Sequence, residues 1–490
     1  MLSTRKARIH LIPRVIAFAA AFYAFCWISG FPREYDDDEL PPDGQHRKLS
    51  TSHSPHSVPI DQVVVSIKTT ATDAYSKLPP MLVLTKPIYH DTLLLMSDLE
   101  MDIGAFHVED VLNKFNTHIV ESSEDFYRYH QQIDFARAGR ELRTLQEVDP
   151  QKEMEIRDKL DKYKWLRMVG KTWELRPDRS WYVFVDTDTY LFRSNLMSWL
   201  GHYDATEPYF LGNPPDKTSF APFALGGTMF VLSLKAMQEL LVEREMVVPD
   251  WDSRIANHAS GFEVLSSALS SEISLSLNSS FTRGISGLHP GTIPYGPGMW
   301  CEPVIALHSV PAELASDIWR LERDREEYNH VREPMTFEVL WKSFIQPEDM
   351  LNARDNWDNL SSGPENAKWN ILFEGTQHHK QAAERTHRHI HRDEDGKASS
   401  GEDSWEACRD SCYNNDHCVQ FSYSSLPTPN YNENPSTKCH LSSSMRLGGP
   451  IDPQDVVVDG KKQTRTWSSG WRKDKFEKWA QQQRCKGQQN

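Results

Sequence analysis

The 490-residue chain predicts an open α/β sheet with polar and charged residues at the carboxyl ends of its strands, followed by a small disulfide-rich module. Two observations carry the sheet. Runs rich in β-branched and aliphatic or aromatic residues, Val63 to Lys68, Thr92 to Asp98 and Val183 to Val185, have the continuous apolar character of strands buried on both faces. Stretches of helical length separate them, the alternation of a doubly wound sheet, whose ligands gather at the carboxyl ends of the strands. A third observation concerns chemistry. The run from Trp181 stops abruptly at Asp186-Thr187-Asp188, and two carboxylates at i and i+2 past a strand end can turn toward one hard cation that shields a diphosphate.

The elements follow in chain order. Val15 to Ile28 is an uninterrupted apolar stretch between Arg5, Lys6, Arg8 and Arg14 on one side and Asp36, Asp37, Asp38 and Glu39 on the other. It predicts a membrane-spanning helix that, with the tail before it, occupies residues 1–31, its N-terminus cytosolic and the remainder lumenal. A cleaved signal peptide ending near Gly30 is the other reading, and both place the chain in the same lumen. Residues 32–61, rich in Pro, Ser, His and Asp, read as a stem. An α/β domain is expected over 62–375, its tail including Phe337 to Leu360. Residues 376–403, with His378, His379, His387, His389 and His391, read as a flexible linker because no cysteine partners accompany the histidines. A cysteine module over 404–450 and an extension over 451–490 complete the chain.

Charge and cysteines bound the partners. A net charge of -15 argues against a nucleic-acid partner, since counterion release needs a basic surface. Of seven cysteines, Cys26 lies in the apolar stretch and six follow it, an even number suited to an oxidising compartment. Cys408, Cys412, Cys418 and Cys439 cluster. Asn278 and Asn359 open glycan-acceptor sequons.

Four ordered segments carry a family resemblance: Asp186-Thr187-Asp188-Thr189-Tyr190-Leu191; Gly226-Gly227-Thr228-Met229-Phe230-Val231-Leu232-Ser233; Gly261-Phe262-Glu263-Val264-Leu265; and Trp300-Cys301-Glu302-Pro303 running to His308-Ser309. In order and spacing they resemble the nucleotide-sugar-dependent glycosyltransferases of family 31, the Fringe and core 1 galactosyltransferase type, and their fungal relatives. The resemblance implies a GT-A-type, nucleotide-sugar-binding open mixed sheet. It also implies a metal-dependent inverting transferase moving a hexose or N-acetylhexosamine from a UDP-sugar to a glycan or glycoprotein, with a β-1,3 linkage, in the Golgi or ER as a single-pass type II membrane protein. A non-catalytic, lectin-like protein on the same fold is the alternative.

The resemblance further implies residue roles. Asp188 would coordinate the metal directly, with Asp186 in support or on the sugar, and His308 would be a further ligand; carboxylates with an imidazole suit manganese, with magnesium an alternative. Lys68 and Thr69 are nucleotide candidates at the end of the first strand, Asp98 a candidate for the base or ribose, and Gly226 and Gly227 would let backbone approach the donor. Glu263 is the expected base, partly desolvated behind Phe262, where the family usually presents an acidic pair; Asp250 and Asp252 are reserves. Residues Trp405 to Gly448 resemble a PAN or apple module, which implies Cys408 with Cys439 and Cys412 with Cys418, leaves Cys301 and Cys485 paired or free, and serves as a binder of carbohydrate or protein or as a spacer.

Overall fold

Seven strands form the central mixed sheet, in the order β3-β4-β2-β1-β5-β8-β7. They are β1 Val63–Lys68, β2 Leu93–Ser97, β3 Met101–Ile103, β4 Phe106–Asp110, β5 Trp181–Asp186, β7 Phe210–Gly212 and β8 Met229–Ser233. The computed structural model describes residues 57–212, 229–278, 284–286, 289–328, 333–346, 348, 350, 353–361, 370–374, 391–392, 398–399, 401, 404–425, 438–458 and 461–485. All of these fall within one compact unit.

β1 runs parallel to both β2 and β5, while β8 is antiparallel to β5 and β7 antiparallel to β8. The pleat sends alternate residues to opposite faces. Val64, Tyr182, Phe184 and Phe230 enter one core; Val63, Val65, Val183, Val185 and Val231 enter the other. Helices cover both faces. α1 (Ala74–Leu84) lies on the second, and α3 (Trp165–Leu175), which follows α2 (Pro150–Asp161), lies on the first. That double burial is why these strands read as unbroken apolar runs instead of alternating ones.

A three-stranded sheet stands beyond the end of β5. It joins β6 (Tyr190–Leu191), β10 (Ala306–Leu307) and β9 (Ile285–Ser286), with β10 central. Around it lie α4 (Arg193–Leu200), α6 (Ala312–Arg323) and α7 (Phe337–Phe344), while α5 (Gly261–Ile273) packs with α3 on the first face of the central sheet.

The C-terminal sheet crosses the boundaries expected from sequence. Its strands are ordered β11-β20-β16-β17-β13: β11 Arg354–Asp355, β13 Asn370–Glu374, β16 Gln420–Ser425, β17 Lys438–Ser442 and β20 Lys461–Trp471. β12 (Trp357–Asp358) pairs with β18 (Gly449–Pro450), β19 (Gln454–Val458) flanks β20, and β14 (His391–Arg392) pairs with β15 (Ala398–Ser399). The module therefore does not end at residue 450, because its longest strand is β20. Strands before residue 375 also join its sheet.

Three disulfides are present, Cys408–Cys439, Cys412–Cys418 and Cys301–Cys485. The first two staple α8 (Trp405–Tyr413) to the module; the third ties the segment before β10 to the end of α9 (Lys473–Gln482). Trp300, Trp341, Phe476 and Trp479 pack around that tie.

Two expectations require correction. Among the described residues no helix is long and apolar enough to cross a membrane. The helix expected over residues 15–31 lies outside the described residues, and the described residues form a mixed α/β sheet with a C-terminal β module in which no membrane-spanning helix is seen. Asn359, read as a glycan acceptor, is fully buried, and its Nδ2 donates to the carbonyls of Phe421 and Gly470 at 3.0 and 3.3 Å. Such an amide has no room for a glycan.

Candidate metal centre and polar chamber

Strand pairing assembles the centre from distant parts of the chain. β5 ends at Asp186, the Thr189 amide turns back to the Asp186 carbonyl at 3.1 Å, and β6 leaves antiparallel to β10 with Tyr190 opposite Leu307. That register brings His308 level with Thr189. His308 Nδ1 lies 3.1 Å from Thr189 Oγ1 and 3.2 Å from Asp188 Oδ1, and the Val310 amide donates to the Asp188 carbonyl at 3.0 Å. One ligand atom each from Asp186, Asp188 and His308 lies within 4.8 Å of the others.

The donor set fits a divalent cation. Asp188 Oδ1 is buried and makes no hydrogen bond, with His308 Nδ1 as its neighbour at 3.2 Å, so a cation held between the two would complete it. Two carboxylates with one imidazole suit manganese or magnesium. The group can hold a metal ion.

A lysine stands beside it. Lys68, opposite Asp186 in the register of β1 and β5, reaches Asp186 Oδ1 at 3.2 Å and Asp161 Oδ2 at 2.6 Å, with its ammonium 4.2 Å from the Trp165 ring centroid. Burial pulls the Lys68 ammonium toward neutrality, but Asp161 and Asp186 outweigh it and hold the pKa above the ordinary lysine value. Burial likewise opposes ionisation of Asp161, yet Lys68 and Lys164 hold its carboxyl well below the usual range.

These groups line a chamber of about 390 Å³, reaching from Thr69, Asp73 and Lys77 past Arg157, Asp158 and Lys162 to Ser260, Gly261 and Phe262, with Asp186, Asp188 and His308 along it. Gly261 is there for a steric reason, since a Cβ at this position would lie 1.9 Å from Trp165 Cδ1. The glycine lets the start of α5 close against the tryptophan that Lys68 covers.

Not every expected residue reaches the chamber. Lys68, Thr69, Asp186, Asp188 and His308 line it. Asp98 is corrected: it is 1 % exposed, its Oδ1 accepts from the Ala71 amide at 2.7 Å, and its Oδ2 pairs with buried Lys164 at 2.9 Å. Asp98 fixes the loop after β1 and presents no free edge to a nucleotide. Glu263 is also placed elsewhere. Its Oε2 accepts from the Ala259 amide at 2.9 Å while Ser260 Oγ accepts from the Glu263 amide at 3.2 Å, a reciprocal helix cap, and its side chain is 42 % exposed. Phe262 lines the chamber instead. Of the reserves, Asp252 is buried against Arg167 and the Asn116 amide, and Asp250 is exposed outside the chamber. Gly226 and Gly227 lie outside the described residues.

Sequence reading missed Asp158, Asp161 and Trp165. Their one legible signal is helical spacing, since Asp158, Asp161 and Trp165 recur at i, i+3 and i+7 along one side of α2 and the start of α3. No protein-family model matches the chain, and no curated protein matches it.

Proposed function

We propose that the chain is a metal-dependent inverting glycosyltransferase that moves a hexose or N-acetylhexosamine, from UDP-galactose or a UDP-N-acetylhexosamine, to a glycan or glycoprotein and makes a β-1,3 linkage. The observation that carries this reading is the Asp186–Asp188–His308 group at the carboxyl end of β5, with buried Asp188 Oδ1 lacking a hydrogen bond, beside a chamber also lined by Lys68, Lys77, Arg157 and Lys162, each paired with a carboxylate. The ordered likeness of its four motifs to family 31 supports it. A lumenal, oxidising compartment of the secretory pathway accords with the three disulfides.

In this reading Asp188, His308 and Asp186 would hold manganese or magnesium, which when bound neutralises charge developing on the departing diphosphate. The chain's own groups supply the rest. Lys77, Arg157 and Lys162 would orient the phosphates, and Lys68 holds Asp186 in place between the two strands. The acceptor hydroxyl needs a base. Asp158 is the chamber-lining carboxylate whose side chain forms no ion pair or hydrogen bond among the described residues, so it takes the role first given to Glu263.

A second reading, a non-catalytic sugar-binding protein, draws on one observation: Glu263 is committed to a helix cap. Titration calorimetry with UDP, with and without manganese, followed by a hydrolysis screen over UDP-sugars, separates the two. Manganese-dependent UDP binding with turnover of one donor supports the transferase. Absence of metal-dependent UDP binding overturns it, and binding without turnover of any donor favours the second reading. Asp188→Ala, whose side chain is not core packing, abolishes manganese-dependent UDP binding while the melting temperature holds; undiminished binding removes Asp188 from the centre.

A further inference from the structure

A second chamber, of about 260 Å³, lies on the other side of Asp186, Thr187 and Asp188, between α1 and α6. Its chemistry is opposite to that of the first. Met81 and Leu84 of α1 face Val310, Ala315 and Trp319, giving apolar walls. Of its cations, Lys77 and Lys86 are paired with Asp73 and Glu326, while Arg193 lies among these walls with Tyr89, Tyr190 and Glu322.

The polar end is incompletely satisfied. Tyr190 donates its hydroxyl to Glu322 Oε2 at 2.6 Å, which engages the carboxylate, and Lys86 pairs with Glu326 at the rim. Arg193 lies with its guanidinium carbon 5.2 Å from the Tyr89 ring centroid, and its Nη1 is buried with no hydrogen-bond partner. A buried, unpartnered N–H of a charged group is expensive, so the cavity rewards an incoming oxygen acceptor far more than a second apolar atom or a cation.

We infer that this chamber is a second ligand site, taking a small amphipathic molecule whose apolar body packs between Met81, Leu84 and Trp319 and whose carbonyl or carboxylate oxygen accepts from Arg193 Nη1. The volume sets its size at roughly ten non-hydrogen atoms at the packing density of protein interiors. Its occupant lies beside the carboxylates of the metal group, since Asp186 and Asp188 line both chambers. The assignment goes beyond the transferase reading and stands without it.

Titration calorimetry of the full chain with octanoate, octanamide and octylammonium, with UDP omitted, tests it. Octanoate and octanamide bind, octylammonium binds at least tenfold more weakly, and Arg193→Leu costs the two acceptors at least tenfold. Ala315→Phe, which fills the chamber and leaves Arg193 in place, removes binding of both while the melting temperature and manganese-dependent UDP affinity hold. Equal affinity for octylammonium, failure of both acceptors to bind, or undiminished binding in folded Ala315→Phe overturns the inference. Loss of UDP binding in the wild-type chain would sink only the transferase reading.

Discussion

Lys68 and Asp186 stand opposite each other on the parallel strands β1 and β5, their side chains on one face and 3.2 Å apart. The pair places a cation between the metal group and Asp161, so one lysine balances carboxylates from two elements that are far apart in sequence. Asp186 is thereby held ready beside Asp188, and a metal entering the centre competes with an ammonium already in place.

Lys68→Met tests this competition. Removing one partner of a buried pair leaves charge uncompensated, so the variant is destabilised by on the order of 3 kcal/mol in chemical denaturation. Metal affinity moves the other way. With UDP absent, manganese binds several-fold more tightly than to wild type, read by calorimetry, because Asp186 no longer has a competing cation. Unchanged or weaker metal binding in the folded variant would show that Lys68 and the metal do not share Asp186.

The helix cap separates Glu263 from Asp158. Glu263→Gln keeps an acceptor oxygen for the Ala259 amide, so stability, UDP affinity and transfer remain near wild type. Asp158→Asn lowers transfer by roughly a hundredfold or more with UDP affinity retained, the usual worth of a positioned base. Single-turnover transfer with the donor found in the hydrolysis screen checks both. The reverse pattern would return the base to Glu263.

Stability carries a pH signature from two buried carboxyls. Burial pushes the Glu322 carboxyl up to about 7, and Asp110, buried with its carboxyl against Tyr129, goes up to about 6. Each holds its proton more tightly in the folded chain than in the unfolded one, so between about pH 4.5 and 7 the native state binds more protons and stability falls as pH rises. Melting temperatures measured from pH 5 to pH 8 decline accordingly. Glu322→Gln flattens the curve and melts higher than wild type at pH 8; an identical pH profile would mean that Glu322 ionises normally.

Asn359 is predicted to carry no glycan in the folded protein. Peptide mapping by mass spectrometry should find it unmodified. Its amide bridges Phe421, Gly470 and Ser361, and Asn359→Ala, which leaves those buried groups unpaired, costs about 2 kcal/mol of stability. A glycosylated Asn359 in folded material would contradict its burial.

Local pattern by itself determined the strands at Val63, Leu93 and Trp181, because burial on both faces writes a continuous apolar run that needs no partner to be recognised. The Asp186 and Asp188 carboxylates were legible for the same reason, as an abrupt change at a strand end. The resemblance of residues 405–448 to a PAN or apple module implied the Cys408–Cys439 and Cys412–Cys418 pairs, and both are present. What tertiary structure alone decided is what each polar group faces. Asp98 and Asp188 both stand just past strand ends, yet one is sealed by Lys164 and the other has a buried oxygen without a hydrogen bond, a distinction set by the turn between α2 and α3, more than sixty residues from the first. Glu263 and Asp158 are likewise both helix carboxylates in sequence; the cap at Ser260 occupies one, and the approach of α2 to the C-terminal end of β1, tied by Lys68 to Asp161, brings the other to the chamber. Helix and strand signals come from neighbours in the chain, but charge pairing falls off over a few ångströms of space, and only the folded chain fixes those distances.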